Sequence, residues 1–120
     1  MAVKTKTPLA VRMYQTAVWD FKEQPYPIPQ ERENVHREGL DSDELVVAHD
    51  RILLHHLREY LDFAKKYYQK TLNSDPLQDD PSQPLEKWWW HLNRIARGEF
   101  PEDKLPQHLR EIYREKYLKK

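Results

Sequence analysis

The chain has 120 residues, and its 20 Lys and Arg balance 20 Asp and Glu. That length supports one domain with its own core, without disulfide or metal staples. With no cysteine, thiol catalysis, disulfides and cysteine-type zinc sites are all excluded.

Charged residues make up 33% and aromatic residues 12%, so the core must be built from many rings and few aliphatics. Nine prolines and two glycines imply stiff connections. Residues 1–6 are expected to be a flexible N-terminus. The first fifteen residues hold no apolar run of signal-peptide length. No 18-residue apolar stretch predicts a membrane span. The expectation is a cytoplasmic protein of one helical domain, residues 1–120, without membrane insertion.

The first helix is predicted to begin near Thr7, with Pro8 at its first position, where a missing N–H costs nothing. Ala10, Met13, Tyr14, Ala17, Val18 and Phe21 form its apolar stripe. Trp19 falls on the opposite side. Pro25 is expected to end this helix. Pro25-Tyr26-Pro27-Ile28-Pro29 then reads as extended polyproline II. Residues 30–38 read as a short polar helix that stops at Gly39.

The next segment runs from Ser42 to about Leu72 without proline or glycine. Asp41 with Glu44 three residues later resembles a capping box. Leu45, Val46, Ile52, Leu53, Leu57, Tyr60, Leu61, Phe63, Ala64, Tyr67 and Tyr68 span more than half of the helix circumference. A straight helix of this length measures about 45 Å, long for a domain of this size. It must kink, project or be covered by a second copy, and a homodimer through helix 42–72 is expected.

Residues 73–83 form an acidic loop broken by proline. Residues 73–86 carry Asp75, Asp79, Asp80 and Glu86 with no Lys or Arg, while residues 87–120 carry nine Lys and Arg against five acids. Residues 85–97 read as the third helix, with Pro84 near its start and Gly98 as its stop. Leu85, Trp88, Trp89, Leu92, Ile95 and Ala96 follow helical spacing. Trp90 then points roughly 160° away from that stripe, among Glu86, Lys87, Arg94 and Arg97. A short turn from Phe100 to Leu105 leads to a last helix after Pro106, with Leu109, Ile112, Tyr113 and Tyr117 inward. The fold class is all-α: a bundle of three to four helices, one long central helix and a proline-rich connecting segment.

Few constellations suggest chemistry. His49 and His56 lie in the apolar arc near Asp50, but seven residues put them about 10.5 Å apart along the axis. One zinc ion does not accept both at its bonding distance. Glu33 and His36 have the Glu-x-x-His spacing of helical di-metal sites, which need a second copy that is absent. Ser42, Ser74 and Ser82 lie in caps or loops, outside any nucleophile elbow. Two glycines, Gly39 and Gly98, cannot make a phosphate-cradling loop. No catalytic residue, metal or cofactor is expected.

The surplus of Trp, Tyr and Arg favours protein contact, because these residues dominate interface hot spots. The expected function is a non-catalytic adaptor, assembly factor or regulator that binds another protein. Its expected contact residues are Trp90, Lys87, Arg94, Arg97, Trp19, Tyr26 and Ile28. The alternative is single-stranded nucleic acid, with bases stacked on Trp90 and phosphates held by Lys87, Arg94 and Arg97. Zero net charge weighs against that alternative. A metal-binding helical enzyme built on His36 and His49 ranks third.

Overall fold

The computed structural model describes residues 7–21, 23, 27–71 and 77–118, without the side chains of residues 68–71. Among them every regular element is helical. None of these helices is long and apolar enough to cross a membrane. Tyr26, Leu72 and most of the first half of the acidic loop lie outside the described residues.

Helix α1, Leu9–Trp19, begins directly after Pro8, whose φ of −56° and ψ of 147° hold the entering chain extended. Arg12 donates its backbone N–H to the Pro8 carbonyl, so Pro8 sits just outside the helix. Ala10, Val11, Tyr14, Ala17 and Val18 are buried, while Met13, expected inward, is partly exposed. The helix ends at Trp19, well before Pro25.

Helix α2, Ile28–Arg37, starts two residues earlier than expected and carries Pro29 in its first turn. Proline is tolerated there because the first-turn N–H groups have no partner within the helix. Ile28 and Pro29 are therefore helical and buried, not part of an extended connection. As expected, the helix stops just before Gly39, whose φ of +70° is left-handed.

The long central helix is two helices, α3 at Glu44–His55 and α4 at Leu57–Thr71, broken at His56 with φ −113° and ψ 17°. No proline or glycine marks this break, and we find no local sequence cause for it. Its consequence is a division of labour: α3 packs on α1 and on the C-terminal helix Gln107–Tyr113, while α4 packs on the short helix Leu92–Ala96. The N-cap is Asp43, whose carboxylate accepts the Leu45 N–H at 2.9 Å. Asp41, expected in that role, faces α2 instead.

The expected helix 85–97 divides as well. Trp88–Trp90 form a 3-10 turn, and α5 covers only Leu92–Ala96. Asp79 explains the late start. Its carboxylate accepts the backbone N–H groups of Asn93 at 2.7 Å and Arg94 at 3.0 Å. These are orphan donors of a helix beginning at Leu92, and an acid at this end also suits the helix dipole. Gly98 ends α5 with φ +71°. A Cβ here would sit 2.5 Å from the Tyr117 carbonyl oxygen, so only glycine admits this approach.

A single turn, Glu102–Lys104, precedes α6 at Gln107–Tyr113, which continues as a π turn through Leu118. Leu109, Ile112, Tyr113 and Tyr117 are all buried, as their spacing predicts. Two tyrosine hydroxyls pin this C-terminal unit. Tyr113 accepts the Phe100 N–H at 2.8 Å and donates to the Phe100 carbonyl, and Tyr117 donates to the Leu54 carbonyl of α3.

Candidate functional site

Two buried carboxylates organise the polar interior. The first is Asp50 on α3, 0% exposed. Its Oδ1 accepts from the Tyr14 hydroxyl at 2.6 Å and Arg32 Nε at 2.9 Å. Its Oδ2 accepts from Arg32 Nη2 at 3.1 Å and His108 Nε2 at 3.0 Å. Four donors thus occupy the roughly four lone-pair sites of one ionised carboxylate. A buried charge requires such pairing, since desolvation otherwise costs several kcal/mol. Burial, then the charge of Asp50, push the Tyr14 phenol well up, which keeps it a donor.

Arg32 is the counter-ion and is itself buried. Besides Asp50, it donates Nη1 to Asp41 at 2.6 Å. Its guanidinium lies 4.6 Å from the Trp89 ring centroid and 5.7 Å from those of Trp88 and Tyr14. Rings at these distances attract a cation. Burial lowers its pKa, but the charge and hydrogen bonds of Asp50, with Tyr14 and Asp41, together outweigh this and raise it. Asp41 completes the relay by holding His36 Nδ1 at 2.8 Å.

The second centre is Glu33, 4% exposed, also on α2. Its Oε1 accepts from the indole N–H groups of Trp90 at 2.8 Å and Trp89 at 3.1 Å. Its Oε2 accepts from Lys87 Nζ at 2.9 Å. Glu33 thereby anchors the tryptophan turn onto α2. Burial pushes its carboxyl up, but the hydrogen bonds from Trp90, Lys87 and Trp89 prevail and lower it from 4.5 to about 2. A depressed folded-state pKa contributes stability at higher pH that is lost on acidification. The Glu33 contribution should therefore fade as pH falls from about 4.5 to about 2. The stability gap between wild type and Glu33→Gln, measured by urea denaturation, should narrow over that window. A gap independent of pH would refute it.

Among the described residues, the predicted contact residues lie in different settings. Trp90 is half-buried against the core, and it shares Glu33 with Lys87. Arg94 and Arg97 turn to Glu99, through its carbonyl at 2.9 Å and its carboxylate at 3.0 Å. Ile28 is fully buried. Arg97 is exposed, and Trp19 has 64% of its surface exposed.

Trp19 is also held in place. Its indole N–H donates to His49 Nε2 at 2.7 Å, and the rings meet edge to face at 6.0 Å. An indole can only donate, so His49 Nε2 carries a lone pair. Its Nδ1–H then donates to the Leu45 carbonyl at 2.7 Å. Trp19 forms one wall of a groove of about 370 Å³ with Ile52 and Tyr60, and Glu23, His56 and Glu59 line its edge. The Tyr60 hydroxyl, donating to the Val18 carbonyl at 2.8 Å, fixes the floor.

The histidines separate in role. His49 is buried and bonded to Trp19, whereas His56, expected in the apolar arc, is exposed and pairs with Glu59 at 2.9 Å. The histidine on Asp50 is His108, which the sequence reading did not single out. Arg32, Asp41 and Tyr14 were also missed as polar partners. No group of three His, Asp or Glu among the described residues is arranged to hold a metal ion. The chain has no significant match among protein-family models, curated proteins or solved structures.

Proposed function

We propose that the protein is a non-catalytic protein-binding module whose docking face is the Trp19 groove. The observation that carries this reading is an exposed tryptophan locked in one orientation by His49. A ring fixed before binding loses little conformational freedom on contact. Its neighbours Ile52 and Tyr60 supply apolar floor, and the carboxylates of Glu23 and Glu59 supply the rim. Aromatic anchors within a polar rim are the usual build of a binding hot spot. The acidic rim favours a basic amphipathic helix, with apolar residues at helical spacing and Lys or Arg at its flanks.

Trp19→Ala tests this reading. Folding stability should change by less than about 1 kcal/mol, as at other exposed positions. Binding to basic amphipathic peptides selected by display against the wild-type protein should weaken by about 2 kcal/mol or more. Selected peptides that bind Trp19→Ala as tightly as wild type would place the docking face elsewhere.

A further inference from the structure

The polar groups of the Trp19 groove are one-sided. Both of its aromatic donors are used within the chain. The Trp19 indole N–H is donated to His49 at 2.7 Å, and the Tyr60 hydroxyl to the Val18 carbonyl at 2.8 Å. His56 faces the Glu59 carboxylate through Nδ1 at 2.9 Å. A carboxylate only accepts, so that nitrogen carries the proton, and in the neutral ring Nε2 is one more acceptor. What the lining still offers a ligand is ring faces, the side chain of Ile52 and acceptor oxygens, chiefly those of Glu23.

The charge is one-sided too. Among the described residues, no Lys or Arg lines the groove. Two carboxylates against one imidazole keep it negative in either protonation state of His56. Glu23 is exposed, and among the described residues its carboxylate has no ion partner. The Glu59 charge reaches the aromatic floor: burial, then Glu59, raises the Tyr60 phenol. An anion finds neither a free donor nor a counter-charge here. A purely apolar chain would leave the carboxylates unused. The complement is a cation on an apolar stem.

On the reading that this groove is the docking face, we propose that it recognises the ammonium of one lysine of the partner protein. The ammonium sits against the open face of Trp19, with Glu23 and Glu59 as counter-charge, and the aliphatic stem packs on Ile52 and Tyr60. The indole is held by His49, so its face is presented before the ligand arrives. Lysine fits better than arginine. A guanidinium brings five donors and an ammonium three, while one oxygen of Glu59 is already taken by His56. Cation–π attraction needs the charge and not the N–H groups. N-methylation of that lysine keeps the charge and the contact, whereas acetylation removes both. The groove therefore distinguishes an acetylated partner from a free or methylated one.

Peptides selected by display against the wild-type protein supply the test. Each lysine is replaced in turn by trimethyllysine, acetyllysine or norleucine, and affinity is measured by calorimetry. At one position trimethyllysine should bind at least as tightly as lysine, and acetyllysine and norleucine should each weaken binding by about tenfold. Glu23→Gln, an exposed substitution that spares the core, should weaken the lysine peptide by about threefold and leave the norleucine peptide unchanged. Trp19→Leu keeps an apolar side chain without a ring face, and should erase the preference for trimethyllysine over norleucine. Peptides that lose affinity for Trp19→Ala yet tolerate norleucine at every lysine, or contain no lysine, would overturn the ammonium and leave the docking face standing. Peptides indifferent to Trp19→Ala would overturn both.

Discussion

Asp50→Ala should lower folding free energy by about 3–5 kcal/mol, the usual result of leaving a buried counter-charge alone. For a domain whose total stability is on the order of 5–15 kcal/mol, that is a large share. The loss comes from Arg32 more than from the missing carboxylate. Among the described residues, Arg32 would keep only the partly exposed Asp41 as its ion partner. Tyr14 and His108 would also lose their acceptor. The double replacement Arg32→Met with Asp50→Leu removes both charges and should cost less than the sum of the single changes. Urea denaturation of the four proteins measures the coupling. Additive losses would mean that Arg32 does not depend on Asp50.

This network shows why the fold was more legible in the sequence than the site. Apolar spacing located the inward faces of α1 and α6, since burial of Tyr14, Ala17, Leu109 and Ile112 follows from helical period alone. Gly39 and Gly98 marked helix ends because both need a left-handed backbone. The breaks at His56 and His91 were hidden, since both segments have unbroken helical patterns. At His91 the cause is tertiary: the Asp79 carboxylate caps a helix fourteen and fifteen residues further on. The polar centres were hidden for a similar reason. Arg32 and Glu33 sit on a helix that reads as polar and solvated, and their partners come from α1, α3, the connection between α2 and α3 and the tryptophan turn. A buried ion pair leaves no period in the sequence. The acid-base-acid run Glu31-Arg32-Glu33 looks like ordinary surface until Asp50 and the indoles are placed beside it.

The tryptophan run illustrates the same point from the apolar side. A continuous helix would have turned Trp90 outward, making it the anchor of a binding surface. A 3-10 turn rotates the chain by about 120° per residue and lets Trp89 and Trp90 direct their N–H groups to the same Glu33 oxygen. Exposure then shifts to Trp19, which helical geometry also placed off its stripe. Trp19 and the Asp50 network meet on α3, where His49 and Asp50 are adjacent residues facing α1 by different partners.

Trp89→Ala should cost about 3–5 kcal/mol of folding free energy. The ring is 2% exposed and packs edge to face on Trp88 at 5.7 Å. It also lies 5.3 Å from His36 and under the Arg32 guanidinium. Its loss opens a cavity beside two buried charges and removes one donor from Glu33. Trp90→Ala should be milder, about 1–3 kcal/mol, because the half-buried ring gives up less packing but still leaves Glu33 short of a donor. Trp90→Phe separates these contributions, keeping a ring while deleting the N–H, and should cost about 1 kcal/mol. The expected order of destabilisation is therefore Trp89→Ala, then Trp90→Ala, then Trp90→Phe, with Trp19→Ala last. Chemical denaturation of the four variants decides it. If Trp90→Ala leaves stability unchanged while Trp19→Ala unfolds the protein, the Glu33 anchor is not what holds the turn. The binding surface would then return to Trp90, Lys87, Arg94 and Arg97.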